Sequence, residues 1–343
     1  MLNSMRFLIC GVGSAGERHI RNLIALGHED IAVFRTRHLP YRTLARNFPT
    51  YNNLVQALKE FRPDVAFVTN PTSLHVPTAL ECARAGCHIF VEKPISHNLI
   101  GLEELESELH RHGRSAMVGY MSRFHPFFRT VKEWLEAGIN GPLGQPLFLR
   151  SSWGEHVPDW HPWEDYRESY AVRPELGGGP ALTLSHDLDL AVWMLGIPTQ
   201  VQALGTRTDA LEARCEHAAD FLLRFQSGAS ANLHLDYYQR PPQRSWELLG
   251  TRGRVSIDVQ AGTMNLWRGR IGEVSPHAGS HQPTVETHSL PVSFERNQMF
   301  LDEVRFFLDC LTRGQTPIPG IADAAQSVRI ALHISGGQSN EGR

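Results

Sequence analysis

The sequence predicts an α/β fold in two parts: a doubly wound parallel sheet, followed by a second α/β domain built on an antiparallel or mixed sheet. Three observations predict it. Over roughly the first 120 residues, short apolar runs alternate with helix-length amphipathic runs, the pattern of successive βαβ units. The first apolar run leads directly into Gly11-Val12-Gly13-Ser14-Ala15-Gly16. Beyond residue 145, runs of strand composition follow one another largely without helices. The boundary is placed at 122/123, giving domains of 1–122 and 123–343, with the last helices packing back toward the first domain.

Arg6 to Cys10 is the first strand. Its apolar core is short and runs into Glu17, Arg18 and His19, so it reads as a buried strand and not as a signal peptide. The G-x-G-x-x-G turn that follows, between a strand and a helix, is the context in which glycines let backbone amides approach a pyrophosphate at a helix N-terminus. Gly11, Gly13, Ser14, Ala15 and Gly16 are therefore candidate dinucleotide-binding residues. Ile31 to Phe34 is the second strand. NAD sites usually place Asp or Glu after it, to bind the ribose 2′-hydroxyl. This chain has Arg35, Thr36 and Arg37 there. Guanidinium groups and a hydroxyl suit a 2′-phosphate, which favours NADP. The alternative is NAD, with Arg35 stacked on the adenine face.

Tyr51 to Glu60 reads as a helix, and Asp64 to Thr69 as a buried strand ending at Asn70-Pro71. Leu74 to Ala85 is helical, with Gly86 as its stop, and Cys87 to Val91 is a strand followed by Glu92-Lys93-Pro94. Leu99 to His112 is a helix and Ser115 to Tyr120 a strand. Ligands in such sheets sit at the carboxyl ends of strands. Asn70 to Thr72, Glu92 to Pro94 and Tyr120 to Arg123 all fall at such ends.

In the second part, 146–153, 200–207, 218–226, 229–238, 246–250 and 254–259 have strand composition, and Pro180 to Leu195 reads as one helix. Residues 262–293 carry little signal and read as a loop or a hairpin edge. Phe294 to Thr312 and Ile321 to Ile334 are predicted helices.

A net charge of −3 gives no general attraction to nucleic acid or anionic membrane, and no apolar run approaches the length of a membrane span. Five cysteines without a C-x-x-C pair read as reduced thiols in a cytoplasmic protein.

Three groups of residues could carry chemistry. Lys93, at a strand end in line with the glycine turn, can take a proton from a substrate hydroxyl, and Pro94 fixes its backbone, with a cis bond as one option. Gly177-Gly178-Gly179 leads into a helix carrying Thr183, His186 and Asp187 at helical spacing; Asp189 is placed to orient His186, which can act as an acid or base near neutral pH. Trp160, His161, Tyr166 and Arg167, in an aromatic and polar run from Trp153, suit a pocket for a polyol. His156, His161, Glu155 and Asp165 lie near one another in sequence, but hydride chemistry requires no metal and none is assigned.

Taken together, Gly11 to Gly16, Asn70-Pro71-Thr72-Ser73-Leu74-His75, Glu92-Lys93-Pro94, Gly177-Gly178-Gly179 with His186-Asp187-Leu188-Asp189, and Pro317 to Ser327 resemble the glucose–fructose oxidoreductase/inositol dehydrogenase (Gfo/Idh/MocA) family over almost the whole chain. The resemblance implies a Rossmann domain joined to an α/β domain with a large open sheet that supports homodimers or homotetramers. It implies NAD or NADP, and hydride transfer at an oxygen-bearing carbon of a sugar or polyol. It places Lys93 at the catalytic lysine and His186 at the active-site histidine. Asn70, Pro71, Thr72, His75 and Glu92 fall with the cofactor, and Tyr120, Arg123, Thr183 and Asp187 with the substrate. Many members carry an aspartate three or four residues before the histidine; here those positions are Thr183 and Leu182. The run from Trp160 to Arg167 resembles that of bacterial members tied to surface-sugar biosynthesis. Two other readings stand beside the dehydrogenase: a cofactor-binding regulator without turnover, and a glycosidase working through transient oxidation.

Overall fold

The structure, a computed structural model, describes residues 5–37, 40–269, 271 and 284–336. The chain divides into two compact units. The first contains the chain as far as Met121, with Glu175–Gly178 and Arg296–Arg329; the second contains Ser122–Pro174, Gly179–Glu295 and the chain from Ile330.

The first unit is an α/β sheet of six parallel strands: β1 (Phe7–Cys10), β2 (Ile31–Phe34), β3 (Thr50–Tyr51), β4 (Val65–Val68), β5 (His88–Glu92) and β6 (Ala116–Gly119). Their order is β3-β2-β1-β4-β5-β6. Every residue of β1, β4 and β6 is buried, as a strand covered on both faces requires. The helices are α1 (Ser14–Ala25), α2 (Leu54–Phe61), α3 (His75–Arg84) and α4 (Leu102–Arg111), and the late helix α8 (Arg296–Arg313) packs on α1. Phe67 and Phe90 stack at 4.8 Å, and Phe307 of α8 meets Phe90 edge-on at 5.6 Å. Each such burial stabilises by roughly 1.5–3 kcal/mol. The strand order reverses between β1 and β4, which leaves a crevice at their carboxyl ends.

Two boundaries differ from the sequence expectation. The predicted helix from Tyr51 starts only at Leu54, because Tyr51 belongs to β3 and its carbonyl accepts from Arg35 N at 3.0 Å. Asn53 caps α2, accepting from Gln56 N at 2.9 Å. The helix predicted from Leu99 begins at Leu102, after Gly101 at φ 80°.

The second unit holds an eight-stranded, mostly antiparallel sheet in the order β14-β13-β12-β11-β7-β10-β9-β8. Its strands are β7 (Pro146–Gly154), β8 (Pro198–Thr206), β9 (Ala218–Phe225), β10 (Ser230–Asp236), β11 (Gln243–Gly250), β12 (Gly253–Asp258), β13 (Thr263–Arg268) and β14 (Val285–Ser289). Among the described residues only β7 and β10 pair in parallel in this sheet. Burial alternates along β10 and β11, so one face carries a core that includes Phe221, Leu233, Trp246 and Leu248.

Helix α5 (Pro126–Glu136) escaped the sequence reading; it has Pro126 in its first turn, His125 Nδ1 accepting from Phe127 N at 3.2 Å, and Phe127, Phe128 and Val131 buried. The single helix predicted for Pro180 to Leu195 is two: α6 (Pro180–Thr183) and α7 (His186–Leu195), broken at Leu184-Ser185. The region read as a loop or hairpin edge contains β13 and β14, and the intervening residues 272–283 lie outside the described residues. Helices α9 (Ile321–Ala331) and α10 (His333–Gly336) close the described chain.

Candidate functional site

In the first unit the glycine turn joins β1 to α1 at the crevice, and its three glycines do different work. Gly11 has φ 100°, and a Cβ there would stand 2.7 Å from Asn70 N. A Cβ on Gly16 would stand 2.2 Å from Gly11 O. Both positions are closed by the protein itself. Gly13 has an ordinary backbone and nothing within 4 Å of its Cβ position among the described residues. Gly13 also caps α1 without a side-chain hydrogen bond, so the first-turn N–H groups of Ser14, Ala15 and Gly16 carry the helix's positive end into that space.

The opposite wall comes from the end of β4. Thr69 Oγ1 donates to Gly11 O at 2.6 Å. Asn70 Nδ2 donates to Thr78 Oγ1 at 2.8 Å, and its buried Oδ1 has no hydrogen-bond partner among the described residues. His75 is buried with one ring nitrogen 2.8 Å from Pro94 O and the other 2.8 Å from Asn70 O. Burial pushes its pKa down, against the two carbonyl contacts, which raise it, and the ring stands between the ends of β4 and β5. Thr72 lies against Gly177, whose φ of 85° and 2.7 Å Cβ clearance to Thr72 Cβ admit only glycine.

Glu92 ends β5, and Lys93 follows it. Lys93 N donates to Glu92 Oε2 at 3.2 Å, and the Lys93–Pro94 peptide is cis. Glu92 Oε1 lies 2.8 Å from Nε2 of His19, which is fully buried on α1. Burial raises the Glu92 pKa, but the hydrogen bond and charge of His19, with Lys93 and Arg18, outweigh it and bring the carboxyl down to about 2. His19 was not singled out in the sequence. Its position three residues after Gly16, on the buried face of α1, was the available signal.

At the end of β2, Arg35 lies with its guanidinium 4.6 Å from the ring of Tyr41, while Thr36 and Arg37 are exposed. Tyr120, expected at the substrate, is fully buried, its hydroxyl 2.6 Å from Ser327 Oγ.

In the second unit His186 opens α7, 3% exposed, its ring stacked on Trp153 at 5.9 Å and 27°. Trp153 Nε1 donates to Glu155 Oε1 at 2.9 Å. Asp189, expected to orient His186, accepts from Arg123 Nε at 2.8 Å and Nη2 at 2.7 Å, a buried bidentate pair that includes Arg123, expected at the substrate. Asp187, also expected at the substrate, is fully buried; it accepts from Arg244 Nε at 3.0 Å, from Arg244 Nη2 and from Ser151 Oγ. Thr183 lies on α6 and not on the helix of His186; its hydroxyl donates to Gly179 O at 2.9 Å and meets the Tyr237 hydroxyl at 2.5 Å.

The aromatic run is divided. Trp160 packs edge-on against Tyr237 at 5.4 Å, and its buried Nε1 has no hydrogen-bond partner among the described residues. His161 lies 5.2 Å from Trp163. Tyr166 accepts from Glu212 N at 3.0 Å. Arg167 is exposed and paired with Asp165 and Glu212. Among the described residues no group of three or more His, Cys, Asp or Glu is arranged to hold a metal ion.

Residues 5–120 match the oxidoreductase family model with an NAD-binding Rossmann fold, and residues 128–256 match the GFO/IDH/MocA C-terminal domain. The chain belongs to the Gfo/Idh/MocA oxidoreductase family. Myo-inositol 2-dehydrogenase of Thermotoga maritima is 26% identical over 332 residues, covering 91% of this chain and 90% of that protein. The NADP-dependent D-xylose 1-dehydrogenase 2 of Haloferax volcanii is 22% identical, covering 96% and 95%. Among solved structures, levoglucosan dehydrogenase with NADH and levoglucosan superposes with a TM-score of 0.81 at 15% identity, covering 98% of each chain. The WlbA dehydrogenase of Bordetella pertussis with NADH and UDP-GlcNAcA gives 0.79 at 20% identity, covering 97% and 96%.

The first unit is thus the family's NAD(P)-binding domain, and its residues fit a dinucleotide on their own terms. The open face of Gly13 and the uncapped start of α1 suit a pyrophosphate, and the unsatisfied Asn70 Oδ1 suits a hydrogen-bond donor in the same crevice.

Proposed function

We propose that this Gfo/Idh/MocA protein is a dehydrogenase or reductase acting on a sugar or sugar derivative, with Lys93 as the proton acceptor and His186 as a substrate-contacting histidine. The observation that carries the reading is Lys93 itself. It follows the strand next to the switch-point pair of a dinucleotide crevice, on a backbone fixed through Glu92, His19 and His75. A bound nicotinamide dinucleotide supplies the carbon that accepts or returns hydride. Lys93 Nζ, as a neutral amine, would accept the substrate O–H proton as hydride leaves the same carbon for the nicotinamide, and would return that proton in reduction. His186, with its ring held against Trp153, would hydrogen-bond the substrate oxygens. Arg35, Thr36 and Arg37 support NADP over NAD, and two relatives named above, an inositol dehydrogenase and a xylose dehydrogenase, support a sugar or polyol substrate. Leu204 on β8 and Leu222 on β9, both exposed among the described residues, support assembly as a homodimer or homotetramer through this sheet. Five free, buried cysteines support a reducing, cytoplasmic setting, and among the described residues no helix is long and apolar enough to cross a membrane.

A second reading has one observation in its favour. The carboxylate common before the histidine is replaced by the Thr183 hydroxyl, which is already bonded to Gly179 and Tyr237. That favours a cofactor-binding regulator without turnover. A screen of free sugars, sugar phosphates and nucleotide sugars with NAD and NADP, followed by absorbance of the reduced nicotinamide, separates the two. Substrate-dependent turnover supports the enzyme; tight dinucleotide binding with no turnover across the screen supports the regulator.

A further inference from the structure

We propose that Arg244 is a positioning residue for His186, acting through the Trp153 indole and the Asp187 carboxylate. The proposal rests on the reading of His186 as a substrate-contacting group. Arg244 lies on β11 directly opposite Trp153 on β7, in the inward-facing column of the sheet. Its guanidinium sits 4.2 Å from the Trp153 ring, and the His186 ring stands 5.9 Å from the same indole. The same guanidinium binds Asp187, the residue after His186 in the first turn of α7. Ser151, also on β7, donates to the other oxygen of Asp187, and Ser122 Oγ lies 3.3 Å from both terminal nitrogens of Arg244. One planar cation therefore fixes two neighbours of the imidazole at once: the ring it lies on and the backbone turn that carries it.

The arrangement exceeds what folding alone asks of this place. A buried ion pair is weak evidence for stability, since its desolvation cost offsets much of its attraction, and an apolar pair of similar volume would serve a core as well. Arg244 is 5% exposed and Asp187 fully buried. What the pair supplies beyond packing is direction: a guanidinium can lie flat on an indole while its edge binds a carboxylate, and an ammonium cannot.

The test compares Arg244→Lys with the double variant Arg244→Gln/Asp187→Asn, which removes both charges together and leaves no orphan. Two readouts are taken on the full chain. The first, independent of any substrate, is the ring resonances of His186 in 15N-histidine-labelled protein, assigned by their loss in His186→Asn. They should shift or broaden in both variants, while those of His19 and His75 stay in place. The second, on a substrate from the screen, is steady-state kinetics. Turnover should fall by roughly tenfold or more, with the KM for the dinucleotide unchanged. If either variant fails to fold, the other and Trp153→Leu carry the same readouts. Unmoved His186 resonances in a folded variant would overturn the proposal, as would unchanged turnover where His186→Asn is impaired. If His186→Asn itself turns over normally, it is the functional reading of His186 that fails, and the resonance result still decides the positioning claim.

Discussion

Lys93 is held by its backbone. Its N–H donates to Glu92 at 3.2 Å, and Glu92 is gripped from the other side by buried His19 at 2.8 Å. Lys93→Met keeps the aliphatic stem and loses the amine proposed as proton acceptor. Turnover should fall by roughly a hundredfold or more, within the range for general acid–base groups, while dinucleotide binding followed by calorimetry persists. Intact turnover on a verified substrate would remove Lys93 from the mechanism. Arg35 presents the other residue-scale choice. Its guanidinium lies over Tyr41 at the end of β2, and the proposed preference for NADP rests on it. NADP should bind about tenfold or more tighter than NAD, the worth of a charge-assisted hydrogen bond, and Arg35→Asp should reverse the order by like-charge repulsion. Equal affinities in the unmodified protein would mean that the arginine serves only its ring contact.

At the scale of elements, the glycine positions separate folding from binding. Gly177→Ala places a Cβ 2.7 Å from Thr72 Cβ in a backbone at φ 85°, and should lower unfolding stability by about 1–3 kcal/mol in urea titrations. Gly13→Ala meets nothing within 4 Å among the described residues and has an ordinary φ, so its midpoint should stay near that of the unmodified protein. Its dinucleotide affinity should nevertheless drop by roughly tenfold, because the methyl group occupies the space where a pyrophosphate must approach the amides. A Gly13→Ala protein that binds normally would show that the cofactor does not use this turn. The sequence made these glycines visible as a motif but not distinguishable; Gly11 and Gly16 are fixed by Asn70 and by Gly11 O, which only the folded chain brings near. The same limit explains the helix broken at Leu184-Ser185: apolar spacing runs through the break, and nothing local announces it.

For the whole molecule, the pH range of stability has identifiable limits. His234 on β10 lies 2.7 Å from Asp220 and 3.1 Å from Asp236. The hydrogen bond to Asp236 raises its pKa against the opposing effect of burial, and Asp220 adds to the rise, bringing it to about 9. A folded value above the unfolded one means that the contribution is complete below the ordinary imidazole value and is lost as pH rises through about 9. Glu92 is the opposite case: its carboxyl is depressed to about 2, so its contribution is present above the ordinary carboxylate value and is lost as pH falls toward 2. The Tm deficit of His234→Gln should therefore be greatest near about pH 6 and close by about pH 10. A deficit that persists unchanged at the alkaline end would assign it to lost packing.

β3, β13 and β14 are not legible in the residue pattern, but the other strands, the glycine turn with its following helix, the absence of an acid after β2 and the placement of Lys93 at a strand end are. All are local: a period of two or of 3.6, a turn that needs glycine, a charge at a fixed offset. Only the tertiary structure decided what the buried charges do. Arg244 occupies an inward position in an alternating strand, which signals a partner without naming it, and Asp187 and Asp189, two residues apart, turn to different arginines. Long-range pairing between segments far apart in sequence chooses such partners, because a buried charge must be matched by whatever the fold brings within hydrogen-bond reach.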